Sequence, residues 1–352
     1  MWKQNFMEKI LFLYNPHAGK GKIKSVLSDI IELFVNAEYE VTIHSTKGKN
    51  DAKEVTLEKG EEFDVIVASG GDGTLSEVIN GLMTKDINKR PNVGFIPTGT
   101  TNDFAMNLKI SKLGINAAKA VVLGKPFSYD IGQFNEKYFH YVASFGLFAN
   151  VAYSTPQAFK NAMGRVAYIL EGARSLANIK AYNMSIEYDS NIIEDKFIFG
   201  MISNANSVGG FKNITGKNVS LNDGLFEVML IKMPQNIMEL QSIMNALLLM
   251  DMKNNYIYQF KASNIKIKID EPIEWTLDGE FGGKLDEITI INHKQAINFL
   301  VEENVIVDLE AEEAEEAEEI EESQLMEEIT MEAIKDIAKN MDIEVELEDK
   351  EN

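Results

Sequence analysis

Residues 63–83 read FDVIVASGGDGTLSEVINGLM, in which an apolar stretch, a glycine-rich turn and a helical pattern follow one another directly. The apolar residues predict a buried strand from Phe63 to Ala68, and the pattern from Thr74 to Met83 predicts the helix after it. The turn between them is Ser69-Gly70-Gly71-Asp72-Gly73-Thr74. Its glycines permit positive φ and let backbone N–H groups approach an anion, to which the helix adds its positive end. The stretch therefore predicts an α/β fold with a phosphate-binding turn.

Asp72 lies inside this turn, where its carboxylate would repel a bare phosphate. The acid is best explained if Mg²⁺ lies between the carboxylate and phosphate oxygens. The alternative is a plain turn in which Asp72 accepts backbone hydrogen bonds. Three glycines around one acid favour the phosphate site, and the turn matches neither the P-loop pattern nor G-x-G-x-x-G.

Two more glycine-containing loops follow predicted strands of the same region. Asn15 to Lys22 comes after a strand at Lys9–Asn15, and Pro97 to Asp103 comes after one at Asn92–Ile96. In doubly wound folds the loops at the carboxyl ends of the strands face one crevice. The lysines of the first loop are then expected near phosphate, and Asn102 or Asp103 is expected to cap a helix.

Further segments predict the remaining helices and strands and the limits of two domains. Helical spacing runs from Ile23 to Phe34 and from Phe104 to Leu123, and Asn50 is expected to cap a short helix that ends at Lys59. Residues 1–127 are predicted to form an α/β nucleotide-binding domain with a parallel sheet, and residues 128–301 a β-rich sandwich domain. The predicted strands of the second domain are Tyr129–Asn135, Lys137–Ser144, Ala181–Tyr188, Lys196–Ser203, Leu225–Ile231, Tyr256–Lys261, Ile265–Asp270 and Ile288–Asn292, and its predicted helices are Ala158–Asn178 and Asn236–Met250.

Composition limits the chemistry. The 352 residues include no cysteine and four scattered histidines, so a bound metal is expected to be a hard, oxygen-ligated cation. The net charge of −21 is concentrated in residues 302–352, which hold 22 acidic and three basic residues. We interpret this tail as an acidic helical or disordered extension, with a regulatory arm as the alternative. No run is long enough to span a bilayer, so a cytoplasmic protein is expected, and the near-neutral remainder argues against nucleic-acid binding.

Further motifs follow the three loops in a fixed order. They are Glu77-Val78-Ile79-Asn80-Gly81-Leu82, Gly209-Gly210-Phe211, Asn222-Asp223-Gly224-Leu225-Phe226 and Leu277-Asp278-Gly279-Glu280. With Asn15-Pro16, the glycine turn and the segment from Pro97 to Ala105, this set resembles the bacterial soluble diacylglycerol kinase-like lipid kinases, which are related to sphingosine and ceramide kinases. The likeness runs from Lys9 to about Leu300 and leaves the tail uncovered.

The resemblance implies a nucleotide-binding domain and a β-rich domain with the active site between them. It further implies that ATP is bound by Asn15, Pro16, Thr46, Gly70, Gly71, Asp72, Gly73, Thr74, Glu77, Thr100 and Asp103. Asp72 would serve the Mg²⁺ of the nucleotide, and Glu280 would accept the proton of the lipid hydroxyl. A structural Mg²⁺ is implied at Asp223 with the backbones of Ser220 and Leu225. Here the chain departs from the family, because Lys217 to Ser220 stands where a proline frequently precedes Asp-Gly-Leu.

Glu280 also has a chemical argument of its own. Phosphoryl transfer needs mainly positioning, charge neutralisation and a group that receives the hydroxyl proton. A carboxylate beside the flexible Gly279 suits that need, whereas the alternative is that Asp278-Gly279 is only a surface hairpin turn.

The sequence leaves competing functions open. The first prediction is an ATP-dependent kinase for diacylglycerol or a related glycerolipid that contacts membranes peripherally and reversibly. The alternatives are an NAD kinase-like enzyme, which shares only the glycine turn, and a non-catalytic lipid- or nucleotide-binding regulator. A homodimer is left open.

Overall fold

The computed structural model describes residues 7–100, 102–147, 180–208, 211–212, 219–249, 254–309 and 311. The predicted helix at Ala158–Asn178 and nearly all of the acidic tail lie outside these residues, as do Thr101, Gly209 and Gly210. Residues up to Ile306 form one compact unit, and Val307 begins a second. The described residues of the second unit, 307–309 and 311, have helical backbone.

The first part of the chain alternates strands and helices around four parallel strands. The strands are β1 (Lys9–Tyr14), β2 (Glu40–Ser45), β3 (Val65–Gly70) and β4 (Asn92–Pro97). The helices are α1 (Leu27–Asn36), α2 (Asp51–Lys59), α3 (Asp72–Leu82), α4 (Asp103–Asn107) and α5 (Gly114–Leu123). The strand order β4-β3-β1-β2 places β3 in the interior of the sheet, which explains why every residue of β3 is buried.

The rest of the described chain is rich in strands. They are β5 (Lys125–Phe134), β6 (Lys137–Phe139), β7 (Val142–Gly146), β8 (Tyr182–Tyr188), β9 (Asn191–Ser203), β10 (Ser207–Val208), β11 (Phe211–Lys212), β12 (Phe226–Lys232), β13 (Ile257–Ala262), β14 (Asn264–Leu277) and β15 (Glu280–Val301). One helix, α6 (Ile237–Leu249), lies between β12 and β13. Its residues Leu240, Ile243 and Leu247 pack into a buried cluster, as expected for an amphipathic helix.

The two long strands β14 and β15 connect the other strands of the β-rich part. β14 pairs with β8 at Ile265–Ile269 and with β7 at Trp275–Leu277, while its other edge pairs with β15. Near its end, β15 pairs in parallel with β4 through Phe299 and Val93. The strands of both parts therefore belong to one hydrogen-bonded sheet of 13 strands, except β10 and β11, which pair only with each other among the described residues.

Several predicted boundaries were wrong. The helical spacing predicted from Phe104 to Leu123 corresponds to two helices, α4 and α5, which are separated by the non-helical residues 108–113. The helix predicted to start at Thr74 starts at Asp72, so that Asp72 and Gly73 form its first turn. The predicted strand at Ile265–Asp270 is part of the longer β14, because the proline at position 272 shifts the register without ending the strand. The predicted strand at Ile288–Asn292 is likewise part of the longer β15.

None of the helices among the described residues is long and apolar enough to cross a membrane.

Candidate active site

Three loops meet at the carboxyl ends of β1, β3 and β4. Asn15 N–H donates to the Ser69 carbonyl at 2.8 Å, which joins the first loop to the glycine turn. Thr98 and Gly99 donate their N–H groups to the Gly70 carbonyl at 2.8 and 3.1 Å, which joins the third loop to it. The convergence follows from parallel pairing, because these strands end at the same edge of the sheet.

The glycines of the turn are explained by close approach. The sequence argument invoked positive φ, and that reason was wrong, because Gly70, Gly71 and Gly73 are not among the positive-φ glycines. A Cβ on Gly70 would instead overlap the Thr74 side chain, and a Cβ on Gly99 would lie 2.6 Å from the Gly71 Cα. Glycine is therefore required at position 70 by the Thr74 side chain, and at position 99 by the close approach of the Gly71 backbone.

The loops line two adjoining cavities that contain nine of the eleven predicted nucleotide-binding residues. A cavity of about 470 Å³ is lined by Asn15, Thr46, Gly71, Gly73, Thr74, Glu77 and Thr100, together with Lys49 and Glu280. A cavity of about 320 Å³ is lined by Asp72, Asp103 and Glu280 and shares Gly71, Gly73 and Thr100. Pro16 and Gly70 line neither cavity. The predicted set is thus largely brought together, including Glu280 from more than 170 residues away.

Asp72 and Asp103 form a buried acidic pair at the N-terminus of α4. Asp72 Oδ2 accepts the Asp103 N–H at 3.3 Å, whereas Asp72 Oδ1 is buried without a hydrogen-bond partner among the described residues. Burial raises the pKa of Asp72. Burial, and then the negative charge of Asp72, raises the pKa of Asp103 to about 7. Both shifts express a cost of negative charge that a cation between the carboxylates would offset.

Glu280 begins β15 directly after a two-residue turn. Asp278 and Gly279 have φ of +49° and +83°, and Leu277 pairs with Glu280, as in a hairpin with positive φ at both turn positions. The predicted hairpin is therefore present, and it also aims Glu280 into the cavities. Glu280 Oε2 pairs with Lys49 Nζ at 2.7 Å, with side chains 57% and 76% exposed respectively.

Three residues of this site were missed by sequence reasoning: Lys49, His140 and Asp278. Asp278 is almost fully buried and accepts N–H groups of His140, Tyr141 and Val142 at 2.9–3.0 Å. His140 Nδ1 lies 2.9 Å from Asp278 Oδ2. The four-residue motif that ends in Glu280 contains Asp278, but its partners are about 137 residues away in sequence, so no local pattern reveals them.

Glu77 lines the larger cavity and also supports the Lys49 loop. Its carboxylate accepts the N–H groups of Asn50 at 2.7 Å and Ala52 at 3.2 Å. The prediction that the Asn50 side chain caps α2 was wrong, because Asn50 makes no side-chain cap and has φ of +68°. The long-range carboxylate of Glu77 satisfies these helix-terminal N–H groups instead.

The predicted structural Mg²⁺ site has a different arrangement. Asp223 Oδ1 accepts the Leu225 N–H at 2.8 Å, and the Ser220 hydroxyl donates to Asn222. The Lys261 ammonium lies 3.5 Å from Asp223 and 3.2 Å from the buried Glu227. Lys261 already supplies positive charge there, and no group of three or more metal-binding side chains is found in the described part of the chain. The structural Mg²⁺ at Asp223, with the backbones of Ser220 and Leu225, stays a prediction.

Two family models match the chain in succession. The diacylglycerol kinase catalytic domain matches residues 9–134. The YegS C-terminal NAD kinase beta sandwich-like domain matches residues 141–298. Together they cover the strands and loops that build both cavities.

Comparisons with curated proteins and with a solved structure indicate the same family. The chain is 36% identical over 281 residues to the diacylglycerol kinase of Bacillus subtilis strain 168, covering 79% of this chain and 92% of that protein. It is 32% identical over 296 residues to the diacylglycerol kinase of Staphylococcus aureus strain MRSA252, covering 84% and 92%. The solved structure of a diacylglycerol kinase from Bacillus anthracis strain Sterne has a TM-score of 0.66 at 25% identity and covers 86% of this chain and 100% of that chain.

Proposed function

The chain belongs to the diacylglycerol kinase family, and from that premise we propose that it transfers the γ-phosphoryl group of ATP to the free hydroxyl of diacylglycerol. It is a kinase that acts on a lipid alcohol. The observation that carries the narrower proposal is that the glycine turn and Glu280 line the same cavities. The glycine turn can hold a phosphate group while Glu280 receives the proton of the hydroxyl.

The nucleotide is assigned to the three loops. The amides of Asp72 and Gly73, in the first turn of α3, would bind an anion at the helix N-terminus and gain from the helix dipole, whereas the Thr74 N–H donates to the Gly71 carbonyl at 3.0 Å. Asn15, Thr46 and Thr100 add polar groups on the opposite walls. This arrangement supports a triphosphate that runs along the edge of the sheet.

Mg²⁺ fits the acidic pair beside the turn. Asp72 offers a buried oxygen without a partner, and Asp103 offers a second carboxylate in the same cavity. When bound there, Mg²⁺ would be held by Asp72 and Asp103 and would neutralise negative charge on the phosphates. One or two carboxylates plus substrate phosphates suffice for Mg²⁺, so an all-protein cluster of three ligands is not required.

Glu280 is the proton acceptor of the proposal. Its Oε1 lies close to the Gly73 backbone, where a Cβ would come within 3.2 Å of it, so the carboxylate stands directly over the glycine turn. Its ion pair with Lys49 is exposed, and solvent screening makes such exposed pairs weak. An incoming hydroxyl can therefore replace Lys49 at the carboxylate, and the freed ammonium remains beside the phosphate cavity.

The lipid substrate also leads us to propose reversible, peripheral membrane contact of a cytoplasmic enzyme, because diacylglycerol lies in the bilayer. The domain limits 1–127 and 128–301 and the homodimer stay predictions.

The substrate assignment is tested with the purified full chain, labelled ATP, Mg²⁺, and a panel of diacylglycerol, a sphingoid lipid and NAD. Mass spectrometry should find phosphate on diacylglycerol. Phosphorylated NAD would favour the NAD kinase-like alternative, and no phosphorylated acceptor at all would favour the non-catalytic regulator.

A further inference from the structure

A third cavity, of about 220 Å³, adjoins the two cavities at the glycine turn. Gly73 and Glu280 line all three, so the third cavity also reaches the point where the proposed proton acceptor meets the turn. The largest of the three is assigned to ATP, and the second contains the acidic pair. The third cavity is therefore space beside Glu280 to which neither the nucleotide nor its metal has been assigned.

One wall of the third cavity is a single face of α3. Gly73, Ser76, Glu77 and Asn80 line it, and their spacing of three, one and three residues places them on one side of the helix. At the far end, the Asn80 side chain bonds the backbone carbonyl and N–H of Tyr138 at 3.0 and 3.1 Å. The wall therefore runs from the glycine turn for about two helical turns, or roughly 10 Å, to a fixed end.

The facing walls carry two ammonium groups without an acidic partner among the described residues. Lys53 makes neither an ion pair nor a hydrogen bond there, and Lys137 Nζ donates to the uncharged Gly282 carbonyl at 2.7 Å. The acid on the α3 face, Glu77, already accepts two backbone N–H groups. We call the space between the α3 face and these two lysines the side groove. Its positive charge is available to a ligand.

The side groove also has an apolar contribution. Phe281 directly follows Glu280, lines the groove and is 68% exposed. Ligand sites commonly combine such apolar surface with a few polar groups that fix orientation. A phenyl ring beside two ammonium groups matches a molecule that joins an apolar chain to an anionic head.

We propose that the side groove is the acceptor subsite, in which Lys53 and Lys137 bind the phosphate of the lipid product and disfavour acceptors that carry an amine. The inference rests on the proposed function. Transfer breaks the bond from the γ-phosphorus to the ADP oxygen, forms one to the lipid oxygen and leaves the hydroxyl proton on Glu280. The uncharged acceptor thus becomes a phosphate monoester with up to two negative charges, which the ammonium groups attract, whereas they repel a protonated amine.

The test is calorimetric titration of the full chain with three soluble probes that share one scaffold. They are dihexanoylglycerol, dihexanoyl phosphatidate and the analogue with an ammonium group in place of the hydroxyl. ADP and Mg²⁺ are present, so that the phosphate of the probe does not occupy the nucleotide cavity. The variants are Lys53→Gln and Phe281→Ser. Their matched controls are Lys59→Gln, at the exposed end of the same helix, and Ile192→Ser, at an exposed apolar position on another strand.

The original protein should bind the phosphatidate at least about tenfold more tightly than the ammonium analogue. Lys53→Gln should weaken phosphatidate binding by about tenfold, since it removes a bond to a charged group, and should change dihexanoylglycerol binding by less than about twofold. Phe281→Ser should weaken binding of all three probes, and both controls should behave like the original protein. Circular dichroism and thermal unfolding verify that each variant is folded.

Equal phosphatidate affinity of Lys53→Gln and Lys59→Gln overturns the proposal. So does an ammonium analogue that binds the original protein as tightly as the phosphatidate. Since these affinities are measured without turnover, a chain that binds the probes as expected but phosphorylates no lipid contradicts the proposed function and leaves the side groove as a lipid-phosphate site.

Discussion

The proposed phosphoryl transfer depends most directly on Glu280, whose carboxylate is assigned as the proton acceptor. It meets the glycine turn only because a tight hairpin ends beside Gly73, and its exposed partner Lys49 keeps it oriented without removing it from solvent. Asp72, by contrast, is buried with one oxygen unpartnered among the described residues. The two acids therefore have environments suited to different tasks.

Glu280→Gln keeps the shape of the side chain and removes its basicity. We expect the turnover rate to fall by about 10²–10⁴, the usual contribution of a general base, with nearly unchanged ATP affinity. Steady-state kinetics and calorimetric nucleotide binding measure the two effects. Glu287→Gln, an exposed substitution on the same strand, is the control and should behave like the original protein.

Asp72→Asn should instead weaken the binding of the Mg²⁺ that accompanies the nucleotide. It removes the charge that we assign to Mg²⁺ but preserves an oxygen that can accept the Asp103 N–H. We expect the Mg²⁺ concentration for half-maximal activity to rise by at least about tenfold, since charged contacts are worth roughly 1.5–3 kcal/mol. An unchanged Mg²⁺ titration would remove Asp72 from the metal site.

Glu227 predicts a pH effect on stability. Burial raises its pKa from 4.5 to about 8, although Lys261 lies 3.2 Å away. Between these values the folded chain binds the proton more tightly than the unfolded chain, so the free energy of unfolding falls as pH rises, by about 1.4 kcal/mol per pH unit. Glu227→Gln should lose this slope in urea unfolding at pH 5 to 8, whereas exposed Glu274→Gln should retain it. Parallel curves for Glu227→Gln and the original protein would refute the assignment.

At the scale of elements, the turn between β14 and β15 fixes the site. Asp278 ties this turn to β7 and the residues before it through three backbone N–H groups. Asn80 ties α3 to β6, because its amide donates to the Tyr138 carbonyl and accepts the Tyr138 N–H. The helix that carries the glycine turn and the turn that carries Glu280 are thus held to one continuous segment, residues 138–142.

Asp278→Ala would leave those N–H groups without their acceptor. Since three N–H groups lose their acceptor and each buried unsatisfied group costs about 1–3 kcal/mol, we expect the free energy of unfolding to fall by at least about 3 kcal/mol. Denaturant unfolding measures the change, and the exposed Asp286→Ala is its control. A loss no larger than that of the control would show that Asp278 does not hold the turn.

Elements with strong local patterns could be predicted from the sequence. The glycine turn, the strands that precede the three loops and the Asp278-Gly279 hairpin have short-range causes, and all are found near their predicted positions. The Asn50 cap failed because Glu77, 27 residues away, takes the hydrogen bonds. Lys49 and His140 were missed for the same reason, because their partners are distant in sequence.

At the scale of the whole molecule, β15 links the two sequence regions. It begins with Glu280 in the cavities and ends with Phe299 paired to β4 of the α/β part. Periodicity predicted only the short segment at Ile288–Asn292, since a 22-residue strand changes neighbours and exposure along its length. The domain limits at residues 127 and 301 were inferred only from the change in strand and helix patterns along the sequence, and they stay predictions.

The most direct measurement is a crystal structure of the full chain with Mg²⁺ and a non-hydrolysable ATP analogue. The account predicts the triphosphate against the amides of Gly71 to Gly73, the metal beside Asp72, and the terminal phosphate in the cavity that Glu280 faces. A triphosphate bound elsewhere, with the glycine turn empty, would contradict it.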